Sequence, residues 1–268
     1  MAITLPEPNR TRLGKSPLEL VVCQVRYEPN LRAADTQRAL EFHEALGGRD
    51  GDFPDLQPVT QGMQLSFAMG AGTAGPTSPQ VVESSRSVEG WRFASRDEKW
   101  IVSLMPDFVA LQTVAYDSWD DSFRPRLEAI LTAVARFLEP RTEQRFGLRY
   151  VNRMRLPRII MPSGWRPFIA PELLGLAGHA GLGAAVVAGQ QQLVLNLEEG
   201  VVCGLRHGFL NDPGGSDALL YSLDYDISRQ GGRVFDLQDI LATADRFNTL
   251  VLQLFQASVT AALMDELK

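Results

Sequence analysis

The chain is short of cysteine, histidine and lysine, and it has no long apolar run. Two of its 268 residues are cysteine and three are histidine, and lysine accounts for only Lys15, Lys99 and Lys268 of its 26 basic residues. Two cysteines do not make a disulfide-stapled scaffold. Cys23 and Cys203 each lie inside an apolar, strand-like stretch and read as buried free thiols. No two of His43, His179 and His207 share metal-ligand spacing, which argues against zinc. Cys203 and His207 fall on one face of a strand and read as core packing. Neither a nucleophile elbow nor a phosphate loop nor a dinucleotide-binding glycine pattern occurs. The glycines of GLAGHAGLG read instead as a flexible connection. No stretch reaches the ~18 apolar residues of a membrane span. The opening MAITLPEPNRTRLGKSP lacks the apolar core of a secretion signal, so a cytoplasmic protein is expected. No cofactor and no metal are expected.

What is present is an ordinary globular composition, 45% hydrophobic and 22% charged, with a formal net charge of -6 and a pI near 5.2. An acidic field of this kind excludes a general nucleic-acid coat, which needs net positive charge. The excess of arginine over lysine is what a GC-rich coding sequence produces. Clustering of arginine therefore carries more information than its abundance.

Hydrophobic patterning gives an α+β reading. Residues 1–16 form a polar, proline-bearing arm. LELVVCQVRY (18–27) is β-branched and apolar, a strand. Asp35 caps a helix that runs to about Leu46 and stops at Gly47-Gly48. MQLSFAM (63–69) reads as a strand, and GAGTAGPTSPQ (70–80) as a mobile loop. GWRFASR, KWIVSLM and FVALQTVAY follow with hairpin-sized separators, an antiparallel meander. A helix then starts at Ser118 or Asp120, with Phe123, Leu127, Ile130, Leu131, Val134 and Leu138 at helical spacing. After the stretch RFGLRYVNRMRLPR the order repeats loosely. QQLVLNLEE, VVCGLRHGF and ALLYSLDYDIS are strands, and a helix from Asp236 or Asp239 carries an apolar stripe as far as Leu263. The expectation is two similar lobes, 17–158 and 184–268, each an antiparallel strand meander packed on one long helix. An irregular connection spans 159–183, and the lobes pack as one unit.

RFGLRYVNRMRLPR, residues 145–158, holds five arginines and no acid. Alternation along a strand splits it into two faces. Phe146, Leu148, Tyr150, Asn152, Met154 and Leu156 make a core face with one polar intruder. Arg145, Arg149, Arg153 and Arg155 make a row of guanidinium groups. Acids are at hand: Asp224 and Asp226 share a face with Leu220 and Ser222, and Gln24 and Arg26 share a face of the first strand. If these strands are neighbours, an Arg/Asp/Gln network satisfies the row internally. Otherwise the row serves an anionic ligand or an acidic partner, since the arginine fork binds carboxylate and phosphate in pairs. The candidate binding residues are Arg26, Arg145, Arg149, Asn152, Arg153, Asp224 and Asp226, with no catalytic residue among them. The pairs Trp91/Phe93 and Trp100/Trp119 read as core or interface.

PLELVVCQVRY, the stretch 91–123, RFGLRYVNR, SLDYDI and the helix containing LFQASVT occur in that order. In this the chain resembles a sporadically distributed prokaryotic family of uncharacterised proteins of about 260 residues, marked by CQVR[FY] and R-x-G-L-R-Y-x-N-R. The resemblance implies a whole-length unit and supplies no catalytic residues. It also implies a bacterial accessory protein of a mobile, defence or toxin–antitoxin locus. The expected function is non-enzymatic binding of a protein partner, or self-association into a homo-oligomer such as a dimer. The alternative is an enzyme or sensor for a small anionic ligand such as a nucleotide, using Arg149, Arg153 and Asp224. Local nucleic-acid binding through the same strand is a third.

Overall fold

The computed structural model describes residues 5–60 and 88–268. Among the described residues nine strands form one antiparallel sheet: β1 Leu18–Tyr27, β2 Asp55–Thr60, β3 Val88–Ala94, β4 Trp100–Met105, β5 Phe108–Thr113, β6 Thr142–Met154, β7 Gln190–Glu198, β8 Val201–Asn211 and β9 Leu219–Val234. Their order across the sheet is β2-β3-β4-β5-β1-β6-β9-β8-β7. The protein is thus α+β, and the strands of both halves of the chain belong to the same sheet. The strand and loop expected over 63–80 lie outside the described residues. β2 was not foreseen: DLQPVT lacks clear alternation and contains Pro58, which an edge strand tolerates because one side of its backbone faces no partner.

Three helices lie against the sheet, α1 Thr36–Ala45, α2 Arg124–Phe137 and α4 Leu237–Ser258, and two short ones, α3 Pro171–Leu174 and α5 Ala261–Glu266, follow the irregular segments. The caps account for their starts. Asp35 accepts from the Arg38 N–H and Asp236 from the Asp239 N–H, each satisfying a donor the helix cannot. Ser118 accepts from the Asp121 N–H and opens a single π-type turn, Trp119–Phe123, before α2 begins. The apolar stripe expected to run unbroken to Leu263 is interrupted after Ser258. There residues 168–170 pair with the chain: Ala170 N–H donates to Ser258 C=O and Thr260 N–H to Phe168 C=O, each at 3.0 Å. The backbone turns extended at Val259, and Thr260 caps α5.

One core lies between the helices and one sheet face. Phe42 of α1 meets Phe93 of β3 with ring centroids 5.1 Å apart, and Phe146 of β6 meets Phe247 of α4 at 5.4 Å. Trp100 of β4 meets Phe123, 5.8 Å away. Register carries this face across the sheet, with Phe93 opposite Val102, Val102 opposite Leu111, Leu111 opposite Cys23 and Cys23 opposite Leu148. Both cysteines are buried there as free thiols, and burial pushes the Cys203 thiol up to about 12.

Candidate functional site

The opposite face of the sheet carries the guanidinium row. β6 sits between β1 and β9, with Arg149 opposite both Val22 and Asp226, and Val151 opposite Asp224. The two strands whose acids and amide were expected to meet the arginines, β1 and β9, therefore flank β6. Arg149 is buried and grips Asp224 with two parallel bonds, Nε to Oδ1 at 2.8 Å and Nη2 to Oδ2 at 2.7 Å. The same carboxylate also takes Arg206 of β8, Nε to Oδ2 at 3.2 Å. A bidentate, charge-assisted pair of this kind fixes orientation as well as adding energy.

Arg145 donates to Asp226 at 3.2 Å and to Gln24 at 3.4 Å. Its guanidinium lies back along its own strand over Gly147, where a Cβ would sit inside contact distance of Nη1. The glycine is what lets the arginine lie flat. Arg153 pairs with Glu19 at 2.9 Å, Arg155 with Asp212 at 3.0 Å, and Arg26 with Asp107. Exposure grades along the strip: Arg149 and Asp224 side chains are 9% and 11% exposed, against 39% and 42% for Arg153 and Glu19.

The candidate residues thus divide. Arg26, Arg145, Arg149, Arg153, Asp224 and Asp226 share the face opposite the helices. Asn152 does not: it is buried on the helix side, and its amide donates to Leu223 C=O at 3.4 Å. Sequence reasoning passed over Glu19, Asp107 and Arg206. For Arg206 the signal was available, since alternation in VVCGLRHGF sets it beside Gly204 and Gly208 opposite Asp224. Glu19 lies at an irregularity between Leu18 and Leu20, so strict alternation does not place it.

A second ionic cluster went unforeseen. Arg229 of β9 is buried and binds Glu143 of β6 twice, at 2.9 and 2.6 Å, together with Asp239 and the Thr243 hydroxyl at 2.6 Å each. Burial alone lowers the pKa of this arginine, but the bonds from Glu143 and Asp239 outweigh it and hold the group above its ordinary value. A cavity of about 360 Å³ adjoins it, lined by Glu199, Arg233 and Arg246 among others. A cavity of about 410 Å³ lies at the other side of the strip, where Arg206, Ser222 and Asp224 meet Gln190, Gln191 and Gln192 of β7.

The histidines have structural partners. His43 Nε2 lies 2.9 Å from Phe53 C=O, and His179 Nδ1 accepts from the Gly181 and Leu182 N–H groups. His207 Nδ1 lies 2.9 Å from the Tyr221 hydroxyl, and burial lowers the pKa of the ring. Among the described residues no three His, Cys, Asp or Glu side chains gather as metal ligands, and no helix is long and apolar enough to cross a membrane. No protein-family model matches the chain, and no curated protein matches it.

Proposed function

We propose that the protein acts without catalysis, by docking a protein partner on the ionic strip of the sheet face opposite the helices. The observation that carries this reading is the balance of the strip. Arg26, Arg145, Arg149, Arg153 and Arg206 stand against Glu19, Asp107, Asp224 and Asp226. Nucleic acid draws its affinity from unmatched cations, so a strip with one surplus guanidinium offers it little. A protein surface of mixed sign can pair with such a strip and gains specificity from it. The marginal pairs, Arg26–Asp107 and Arg153–Glu19, are the exposed ones and the natural points of exchange. The test is affinity capture from native-host lysate with wild-type and R26E/R153E protein. A protein retained by the first and lost by the second supports the reading. Retention of nothing in any growth state overturns it.

A small anionic ligand is the second reading, favoured by the cavity beside Arg206 and Asp224. A thermal-shift screen of nucleotides and sugar phosphates tests it, and no shift at millimolar ligand sinks it. From the resemblance alone we further propose membership of the sporadic prokaryotic family, a cytoplasmic setting, and an accessory role in a mobile, defence or toxin–antitoxin locus. We also read the chain as two similar lobes, each a meander on one long helix, α2 in the first and α4 in the second. The successive antiparallel pairing of β3, β4 and β5, and of β7, β8 and β9, supports that description.

A further inference from the structure

Among the described residues, the two outer strands of the sheet are unlike each other. β2 carries Asp55 and Pro58, a charge and a missing donor, both of which discourage edge-to-edge pairing. β7 carries neither. From Gln190 to Asn196 it reads QQQLVLN, exposed over most of its length, and among the described residues no strand pairs with its outer side. The neutrality extends beyond the strand. From Leu173 to Leu197 there is no Asp, Glu, Lys or Arg, in a chain that is 22% charged. Exposed apolar side chains also concentrate here, with Leu176, Leu182 and Val187 beside Leu193 and Val194. Gly175 lies against the Gln191 amide, which brings the start of that segment to the strand.

We propose that β7 is a self-association edge, on which a second copy of this chain adds its own β7 antiparallel about a two-fold axis. The inference is independent of the ionic strip and of its partner. Two arguments select a second copy as the occupant. The first is charge. Each copy carries a net charge of -6, so two copies meet with least repulsion on a surface that is neutral, and a two-fold axis sets the residues beside it close to their own like.

The second argument is register. Phe209 N–H donates to Gly189 C=O at 2.9 Å, which fixes the phase of the β7–β8 ladder. Gly189, Gln191, Leu193 and Leu195 bond inward, and Gln190, Gln192, Val194 and Asn196 present their N–H and C=O outward. A two-fold axis through Leu193 pairs Gln192 with Val194 and Gln190 with Asn196 of the other copy. All four outward residues are used and no register slip is needed. Leu193 then meets its own copy in a non-hydrogen-bonded pair, with Cα atoms ~4.5 Å apart. A stable interface buries about 800 Å² per partner, more than one short strand edge supplies, so the proposal requires a contribution from the exposed Leu176, Leu182 and Val187 of the segment before β7.

The test uses the full chain. Sedimentation equilibrium on wild-type protein gives twice the 29.6 kDa of one chain. V194K, at a side chain 73% exposed and so harmless to the monomer fold, raises the dimer dissociation constant at least ten-fold. Q57K on the β2 edge leaves it unchanged. Mild oxidation of L193C gives a covalent dimer on a non-reducing gel, because a Cα separation of ~4.5 Å lies within disulfide range, while the buried Cys23 and Cys203 stay silent. A monomeric wild type at high micromolar concentration overturns the proposal. So does a V194K dimer as tight as wild type, or an L193C that does not cross-link.

Discussion

Replacing Asp224 by asparagine tests whether the buried end of the ionic strip is part of the folded frame. The substitution keeps the shape of the side chain and removes its charge. Arg149, with its side chain 9% exposed, then has a neutral amide where it had a two-bond carboxylate. Removing one partner of a buried ion pair costs about 3–5 kcal/mol, because the remaining charge stays desolvated. Arg206 is about a third exposed and adds little. At ~2–4 °C per kcal/mol for a chain of this size, the melting temperature falls by roughly 6–20 °C. The matched control is E19Q at the exposed Arg153 pair, for which a loss under about 1 kcal/mol is expected. Urea unfolding followed by tryptophan fluorescence and by far-ultraviolet circular dichroism measures both. A D224N loss no larger than that of E19Q would refute the reasoning, since Arg149–Asp224 would then not be integral to the fold. The double variant R149M/D224L should recover most of the loss.

The remaining tests address other parts of the frame. E143Q takes from the buried Arg229 the deeper of its two carboxylate partners and leaves Asp239, so the expected loss falls below the about 3–5 kcal/mol of a fully stranded charge, read in the same urea titration. G208A meets both a positive φ of 145° and the Gln190 Cα only 2.7 Å from the new Cβ. It should raise hydrogen exchange in β7 while leaving β1 and β6 protected. Glu28 accepts the Arg141 and Thr142 N–H groups at 2.6 and 2.8 Å, and these bonds outweigh burial to hold its pKa below the ordinary 4.5. Its stabilisation is present above that value and lost as pH falls through the depressed one. E28Q should therefore flatten the acid limb of a stability–pH profile. Burial raises both cysteine pKa values, so a thiol reagent at pH 8 should label neither in the native protein and both in urea.

Local signals carried much of this molecule. Alternation in RFGLRYVNR and SLDYDI gave the two faces of β6 and β9, because side-chain direction in a strand depends only on position. Helix starts at Asp35 and Asp236 followed from caps. Long-range pairing was not legible in the same way. Glu143 and Arg229 are 86 residues apart, and nothing near either names the other. The end of α4 at Ser258 depends on a contact with residues 168–170, so the periodic stripe ran past it. The edge strand β2 was hidden by its lack of alternation. The neutral run from Leu173 to Leu197 was visible in the sequence, but its position along an outer strand of the sheet among the described residues was not.

The central place of β6 has a consequence for the order in which the chain is made. Its partner β1 precedes it, but β9 begins 65 positions after Met154. At ~5–20 residues per second of synthesis, that leaves the far edge of β6 unpaired for roughly 3–13 s. A naked strand edge invites pairing with another nascent chain. Arg145 and Arg149 stand on this strand, and until Asp224 and Asp226 are synthesised their like charges repel any second copy. The row that ends as an internal ionic network thus begins as a guard on an unfinished sheet.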